Sequence, residues 1–320
     1  MIFGLRFDCR NPGFARVKLA DRYRALLEMC EWADQRGALF VSLSEHHGSV
    51  DDYLPSPLVM AAAVAARTKS MRIGINALIA PFHDPLRLAE DAAVVDLLSG
   101  GRLDLTIAGG YVKSEFDMFG VALSERPAKV EEAVATLRAA WSAEPFQFRG
   151  RTVRVRPSPA RPGGPRIMLG GTSEAAARRA ARIADGFVPS EPTCWQFYRD
   201  ECLKLGKADP GAGMTGHGDV VILAEDPEAA WPEIGPYFLH ETNSYGAWQA
   251  AANVATTYRR QESIDALRAT GQYRILTPDE YAGGQATAGG VALAVLHPMV
   301  GGIPPDLAWR HLRLFEKRFL

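Results

Sequence analysis

The sequence predicts an α/β fold: one (β/α)8 TIM-barrel domain over residues 1–320, with insertions after strands 4 and 7. Three observations carry this. Short apolar runs alternate with amphipathic helical patterns eight times along the chain. Helix starts recur as a capping residue followed by proline, at Ser56-Pro57, Asp84-Pro85 and Asp226-Pro227. The doubly wound rival needs Gly-x-Gly-x-x-Gly after its first strand, and here that strand runs out as Arg6-Phe7-Asp8-Cys9-Arg10.

The elements follow in order. Residues 2–7 read as the first strand, and Leu19, Tyr23, Leu26, Leu27, Cys30 and Ala33 form one helical stripe that stops at Gly37. Strand two is residues 39–43, and helix two opens at Ser56-Pro57. Strand three is 71–79, and helix three runs from Asp84-Pro85 to Ser99-Gly100-Gly101. Strand four, 102–108, leads through Gly109-Gly110-Tyr111 and an excursion bearing Phe116 and Phe119 to a helix lined by Val130, Val134, Leu137 and Trp141. Residues 146–155 alternate and turn at Gly150-Arg151, an inserted hairpin. After a proline-rich link come strand five (166–169), a helix (175–184), strand six (186–189) and a helix from Cys194 to Leu205. The glycine-rich stretch 207–218 reads as a mobile loop. Strand seven is 219–224, and its helix starts at Asp226-Pro227. Residues 241–272 are polar, aromatic-bearing and only weakly periodic. Thr277-Pro278-Asp279-Glu280 is a capping box, strand eight is 291–296, and Leu307, His311, Leu314 and Phe315 belong to a final helix.

Composition excludes several roles. Of 320 residues, 36 are Lys or Arg and 37 Asp or Glu, and a net charge of -1 gives no electrostatic footing for nucleic acid or a membrane surface. No apolar run approaches a membrane span, and the first residues lack the basic start and apolar core of an export signal. Cys9, Cys30, Cys194 and Cys202 form no Cys-x-x-Cys pair. The expectation is a reduced, cytoplasmic protein.

In a barrel, reactive groups gather at the carboxyl ends of the strands. Those ends offer Asp8, Glu45-His46-His47, Asn76-Ala77, Gly109-Gly110-Tyr111, Gly170-Gly171-Thr172-Ser173, Glu191, Glu225 and His297-Pro298. No Gly-x-Ser-x-Gly elbow stands among them, which argues against acyl transfer. Glu45, His46, His47 and His297 are metal-ligand types, but adjacent histidines on an extended backbone point in opposite directions, so no metal site is expected. For the histidines, the plain reading puts one ring towards the cavity and makes the other a capping or packing group; the functional reading makes His46 a working residue and leaves the other structural. Gly170 to Ser173 is either an anion cradle, with close backbone approach, hydroxyls and a helix start, or a plain turn and N-cap. Arg126, near a helix start, is either a fixed positive charge for such an anion or a solvated surface arginine.

These motifs, taken together, resemble the bacterial luciferase-like family of flavin-dependent oxidoreductases. The resemblance rests on Leu43-Ser44-Glu45-His46-His47, Tyr53-Leu54-Pro55-Ser56-Pro57, Arg72-Ile73-Gly74, Asp84-Pro85-Leu86-Arg87-Leu88-Ala89-Glu90 and Asp96-Leu97-Leu98-Ser99-Gly100-Gly101-Arg102. Glu115-Phe116, Phe119-Gly120, Glu125-Arg126, Gly170-Gly171, Ala184-Asp185-Gly186 and Leu276-Thr277-Pro278-Asp279-Glu280 follow in the same order. It covers nearly the whole chain.

The resemblance implies a monooxygenase that binds reduced FMN at the carboxyl face, or in some branches the deazaflavin F420, with hydride transfer instead of oxygen chemistry. A non-catalytic flavin-binding protein is a further alternative. Reduced FMN and O2 would give a flavin hydroperoxide that oxidises a small organic substrate, in a cavity that excludes water. The absence of a recognisable NAD(P)H domain implies a separate flavin reductase, and family members are often homodimers through early barrel helices. By position His46, with Glu45, is the catalytic candidate, His46 as acid–base group. Gly170, Gly171, Thr172, Ser173 and Arg126 match the phosphate cradle, and Gly109, Gly110 and Tyr111 a further wall. Asn76-Ala77 falls where members carry a non-proline cis peptide. One departure stands out: many members have Arg-Gly after strand four, where this chain has Gly109-Gly110, with Lys113 a candidate replacement. Residues 241–272, with Tyr245, Trp248 and Tyr258, read as a lid over the cavity, or alternatively as a surface excursion or subunit contact.

Overall fold

The computed structural model describes residues 1–213, 219–254, 258–286 and 293–320. In chain order its elements are β1 (Ile2–Phe7), α1 (Leu19–Gln35), β2 (Phe40–Leu43), α2 (Pro57–Arg67), β3 (Arg72–Ile79), α3 (Pro85–Ser99) and β4 (Leu103–Ala108). There follow α4 (Lys113–Phe119), α5 (Arg126–Ala140), β5 (Phe146–Phe148), β6 (Arg151–Val153), β7 (Arg166–Gly171), α6 (Glu174–Ile183), β8 (Gly186–Pro189) and α7 (Cys194–Lys204). The chain closes with β9 (Val220–Leu223), α8 (Pro227–Ala251), α9 (Ile264–Thr270), β10 (Tyr273–Leu276), α10 (Pro278–Ala286), β11 (Leu293–Leu296) and α11 (Pro305–Phe319).

The principal sheet is parallel and seven-stranded, in the order β11-β1-β2-β3-β4-β7-β8. Among the described residues it does not close: β8 and β11 are its edges, and β9 pairs in parallel with β10 instead. An eight-stranded ring thus differs from what is seen, because β9 pairs with β10 rather than with the sheet edges β8 and β11. The inserted hairpin is present as antiparallel β5–β6, and its turn uses Gly150 at φ +75°.

Strand periodicity separates core from cavity. Successive side chains alternate faces, so in β1 Phe3, Leu5 and Phe7 are buried in the apolar core, as are Val41 and Leu43 in β2 and Leu103, Leu105 and Ile107 in β4. They pack with Leu26, Met29, Val64, Leu88 and Leu137 of the helices, each full burial contributing about 1.5–3 kcal/mol. The intervening residues, Arg6, Phe40, Ser42, Ser44 and Ala108, line a cavity. Gly4 is required on that face: a Cβ there would lie 2.7 Å from the Phe40 ring.

Helix starts follow the expected chemistry with one exception. Asp84, Ser173 and Asp226 accept from backbone N–H groups of the first turns of α3, α6 and α8. Thr277 and Glu280 form the capping box. Ser56 makes no side-chain cap, and α2 starts on Pro57 alone. The segment 241–272 is no single excursion. Its first part continues α8, a 25-residue helix that carries Pro232 and Pro236 inside it, and its last part forms α9. Of the 207–218 loop, residues 214–218 lie outside the described residues, as do the first two residues of the expected strand eight. No described helix is long and apolar enough to cross a membrane.

Candidate active site

At the carboxyl ends of the strands lies a cavity of about 1010 Å³. Every site residue expected from the sequence lines it: Glu45 and His46 after β2, Asn76 and Ala77 in β3, and Gly109, Gly110 and Tyr111 after β4. Arg126 at the start of α5 and Gly170, Gly171, Thr172 and Ser173 between β7 and α6 complete the set. The Asn76–Ala77 peptide is cis, and the Ser44 hydroxyl donates to the Asn76 carbonyl at 2.9 Å.

The two carboxylates near the histidines do different things. Glu45 is buried and saturated. One of its oxygens meets His47 Nε2 at 2.7 Å and His83 Nε2 at 3.0 Å, and the other accepts the Ile79 N–H at 2.9 Å. Burial pushes its carboxyl up, but the hydrogen bonds from His47 and His83, the charge of His83 and the Ile79 N–H outweigh that and hold it at about 2. Glu115, on α4, has one oxygen 2.7 Å from His46 Nδ1 that also accepts the His47 N–H at 3.0 Å. A carboxylate only accepts, so Nδ1 carries the proton of that bond and Nε2 is the free ring nitrogen of a cavity-lining imidazole. Aromatic rings fix the imidazole's plane: Tyr53 at 4.8 Å, Tyr111 at 5.9 Å, Tyr245 at 6.0 Å and Trp248 at 4.5 Å between centroids. His47 is held edge-on by Phe119 and Phe82 and takes the supporting place.

The opposite wall is built from backbone. A Cβ on Gly171 would lie 2.5 Å from the Ala176 Cβ, so only glycine lets the end of β7 approach the first turn of α6. Gly110 has φ +73°, and a Cβ on it would meet Ile79 Cγ2 at 2.8 Å. The Ser173 hydroxyl caps α6 through the Ala176 N–H. Arg126 donates to the carbonyls of Leu123 and Gly110, both at 2.9 Å, and forms no ion pair among the described residues. Arg126 opens α5, lies beside Gly109 and lines the same cavity as Gly170 and Gly171, whose strand leads into the start of α6. Arg179 also lines this wall, paired to Glu131 at 2.8 Å. Lys113 does not replace the missing arginine: it is exposed and bound to Asp117 at 2.6 Å.

A buried polar cluster underlies the histidine wall, and the sequence did not bring it together. Arg10 is fully buried, paired to Asp51, with Asp8 3.7 Å away, and its guanidinium lies 4.7, 4.7 and 4.8 Å from the centroids of Tyr53, Tyr245 and Trp248. Tyr53 and Tyr245 share a hydroxyl hydrogen bond at 2.8 Å, and His240 meets Asp51 at 2.7 Å. Burial raises the Asp51 carboxyl, yet His240, Arg10 and Ser49 hold it well below the usual carboxylate range. His297 lies between Asp8, 3.5 Å from Nε2, and Glu241, 3.8 Å from Nδ1. An atom from each of the three lies within 4.8 Å of the others. The carboxylates nevertheless approach opposite ring nitrogens, a histidine between two acids rather than three ligands around one point.

Glu115 and Arg10 are therefore candidate site residues that sequence reasoning missed, whereas Tyr245 and Trp248, expected on a lid, stand against His46. Glu115 had a signal, a carboxylate set among Phe116 and Phe119 just after the Gly-Gly-Tyr loop, and it is 2% exposed. The pairing of Tyr245 with Tyr53 had none in local pattern, because the two are 192 residues apart.

Residues 9–295 match the family model of luciferase-like monooxygenases. The oxygenase component of the flavin-dependent trigonelline monooxygenase of Acinetobacter baylyi is 31% identical over 124 residues, 38% of this chain and 34% of that protein. The F420-dependent glucose-6-phosphate dehydrogenase of Amycolatopsis mediterranei is 28% identical over 209 residues, 62% of each. The crystal structure of the monooxygenase RslO1 from Streptomyces bottropensis is similar at 26% identity and a TM-score of 0.77, over 100% of this chain and 98% of that one. The chain spans only 34–39% of the length of the first curated relatives it matches.

Proposed function

From the premise that this chain belongs to the luciferase-like monooxygenase family, we propose that it is a flavin-dependent monooxygenase that takes FMN reduced by a separate reductase and oxidises a small organic substrate with O2. The observation that carries this is a single cavity with a carboxylate-held histidine on one wall and an anion cradle on another.

The residues fit the cofactor. Gly171 lets the end of β7 lie directly against the start of α6, where a Cβ would clash with Ala176, and Arg126 supplies a charge whose bonds are only to carbonyls. Gly170, Gly171, Thr172, Ser173 and Arg126 would hold the phosphate, while Asn76, Ala77, Gly109, Gly110, Tyr111 and His46 would face the ring system. When bound, reduced FMN supplies the electrons with which O2 is activated. His46 holds or moves a proton at Nε2, with Nδ1 committed to Glu115. Glu45, a catalytic candidate in the sequence, is a positioning residue in this proposal, since every bond it makes fixes His47, His83 or Ile79. Tyr245 and Trp248 of α8 cover His46 and exclude water from it.

The architecture is read as a (β/α)8 barrel whose seventh wall is the β9–β10 pair. A homodimer is part of the proposal, supported by Val59 on α2 and Val94, Leu97 and Leu98 on α3, all exposed. A cytoplasmic location completes it. The F420 reading stands as the alternative because an F420-dependent relative matches 62% of the chain.

An anaerobic titration with FMN, reduced FMN and F420, read by absorbance, tests the cofactor. One reduced FMN per chain, with substrate turnover only after photoreduced FMN meets air, is the expected result. Saturation by F420 alone, with turnover that needs no oxygen, replaces the proposal with the alternative.

A further inference from the structure

Alternation along β1 turns Arg6 into the cavity while Leu5 and Phe7 enter the core. Arg10 follows four residues later, paired to Asp51, with Asp8 nearby and three aromatic rings against its guanidinium, and its Nε and Nη2 find no hydrogen-bond partner among the described residues. Arg6 has no such ion pair among them. Among the described residues no carboxylate lies within 4.0 Å of it, and the Tyr258 phenol is among its neighbours. A guanidinium has five N–H donors in a fixed fork. The nearby acids lie beyond ion-pair reach of Arg6, each with one oxygen bonded elsewhere, Glu241 to the Tyr273 hydroxyl at 2.7 Å and Asp8 to the Arg10 N–H at 3.0 Å.

The cofactor phosphate does not account for this charge. In the sheet order β2, β3 and β4 separate β1 from β7, so the Arg6 strand and the cradle strand are about 19 Å apart along the sheet at the usual strand spacing. The cradle has its own cation in Arg126. Around Arg6 the wall is instead aromatic: Tyr53, Tyr245, Tyr258 and Phe40 all line the cavity.

We propose that Arg6 is a specificity-determining residue that binds an anionic oxygen of the substrate, a carboxylate or an ionised phenol, and that the substrate is a planar aromatic acid seated against the neighbouring rings. This rests on the reading of the cavity as a monooxygenase site. Burial alone would lower the guanidinium, but Tyr258, Tyr245, Glu241 and Tyr53 together hold it above its ordinary value, so it remains a cation at any working pH.

The test is calorimetric titration of the FMN-loaded protein with benzoate, 2-naphthoate and anthracene-2-carboxylate, each against its neutral amide. The expected result is an affinity for at least one acid about ten-fold or more above its amide, a preference absent in Arg6→Gln and partly kept in Arg6→Lys. Equal binding of acid and amide across the wild-type panel overturns the proposal, and so does a preference that survives Arg6→Gln. Loss of FMN affinity in Arg6→Gln overturns it too, by making Arg6 a cofactor ligand. Should Arg6→Gln fail to fold, the wild-type panel and Arg6→Lys decide. If the wild type binds no FMN, the monooxygenase reading fails separately, and the same panel on the cofactor-free chain still judges Arg6.

Discussion

The two ends of the cavity are built from different materials. At the β7 end the surface is mainly backbone, with Gly170 and Gly171 leading into the capped first turn of α6. At the β2 end it is side chain, where His46, Glu115, Tyr53, Tyr245 and Trp248 arrive from the loop after β2, from α4 and from α8 and interlock by hydrogen bonds and ring contacts. A backbone cradle is specified locally, by a few consecutive residues, and recognises a charge. A side-chain wall is specified by tertiary structure, and it fixes one ring nitrogen in one protonation geometry. The first end suits holding a cofactor, the second suits moving a proton.

If this division is right, substitutions at the two ends have opposite signatures. The largest effect belongs to His46→Ala, which lowers turnover with photoreduced FMN by about 10²–10⁴-fold while the FMN dissociation constant stays within about two-fold. Glu115→Gln follows with a loss of about 10–100-fold. Equal losses of turnover and FMN affinity in either variant break the comparison. Gly171→Ala has the reverse signature. Its Cβ displaces α6, so FMN affinity falls about 10–100-fold, and riboflavin, which lacks the phosphate, binds as before in a parallel titration.

The ends also differ in response to acid. The Glu45 carboxyl is depressed from 4.5 to about 2 in the folded protein. Its contribution to stability is therefore complete above pH 4.5 and is lost as pH falls towards 2, about 3 kcal/mol in all. Denaturant melts between pH 2 and 5 will show that slope in the wild type and a flatter one in Glu45→Gln. Buried His311, depressed to about 3, accepts the Leu223 N–H and adds a loss from pH 6.5 downwards, because the unfolded chain takes a proton that the folded one refuses. A persistent slope in Glu45→Gln below pH 4.5 is checked against His311→Gln for this reason. The smallest effect is at Lys113→Ala: the residue is exposed and tied to Asp117, so FMN affinity changes by less than about two-fold. A larger change would return Lys113 to the cradle.

The same contrast explains what the sequence disclosed. Phe3, Leu5 and Phe7 alternate with the cavity residues, so β1 was legible, and Asp84-Pro85 announced α3 because its cap is made by adjacent residues. The Gly-Gly-Thr-Ser turn and its Ser173 cap were legible for the same local reason. β10 was not: its four residues sit between the glycine that ends α9 and the Thr277 cap, too short a run to show a period. The start of α8 was legible at Asp226-Pro227, but its extent was not: Pro232 and Pro236 stand inside it and remove N–H groups from its ladder, and it runs on to Ala251. Tyr245 and Trp248 ride on its later turns, so their meeting with His46 is a product of packing that no local pattern encodes.

The contact between Trp248 and His46 gives the protein an optical gauge. The indole and imidazole rings lie 4.5 Å apart at 35°, close enough for a charged imidazolium to quench the indole directly. A drop in Trp248 emission on acidification, absent in His46→Ala, would record the proton on the site histidine in real time. A candidate site histidine read by the indole beside it needs no added dye to follow a ligand arriving in the cavity.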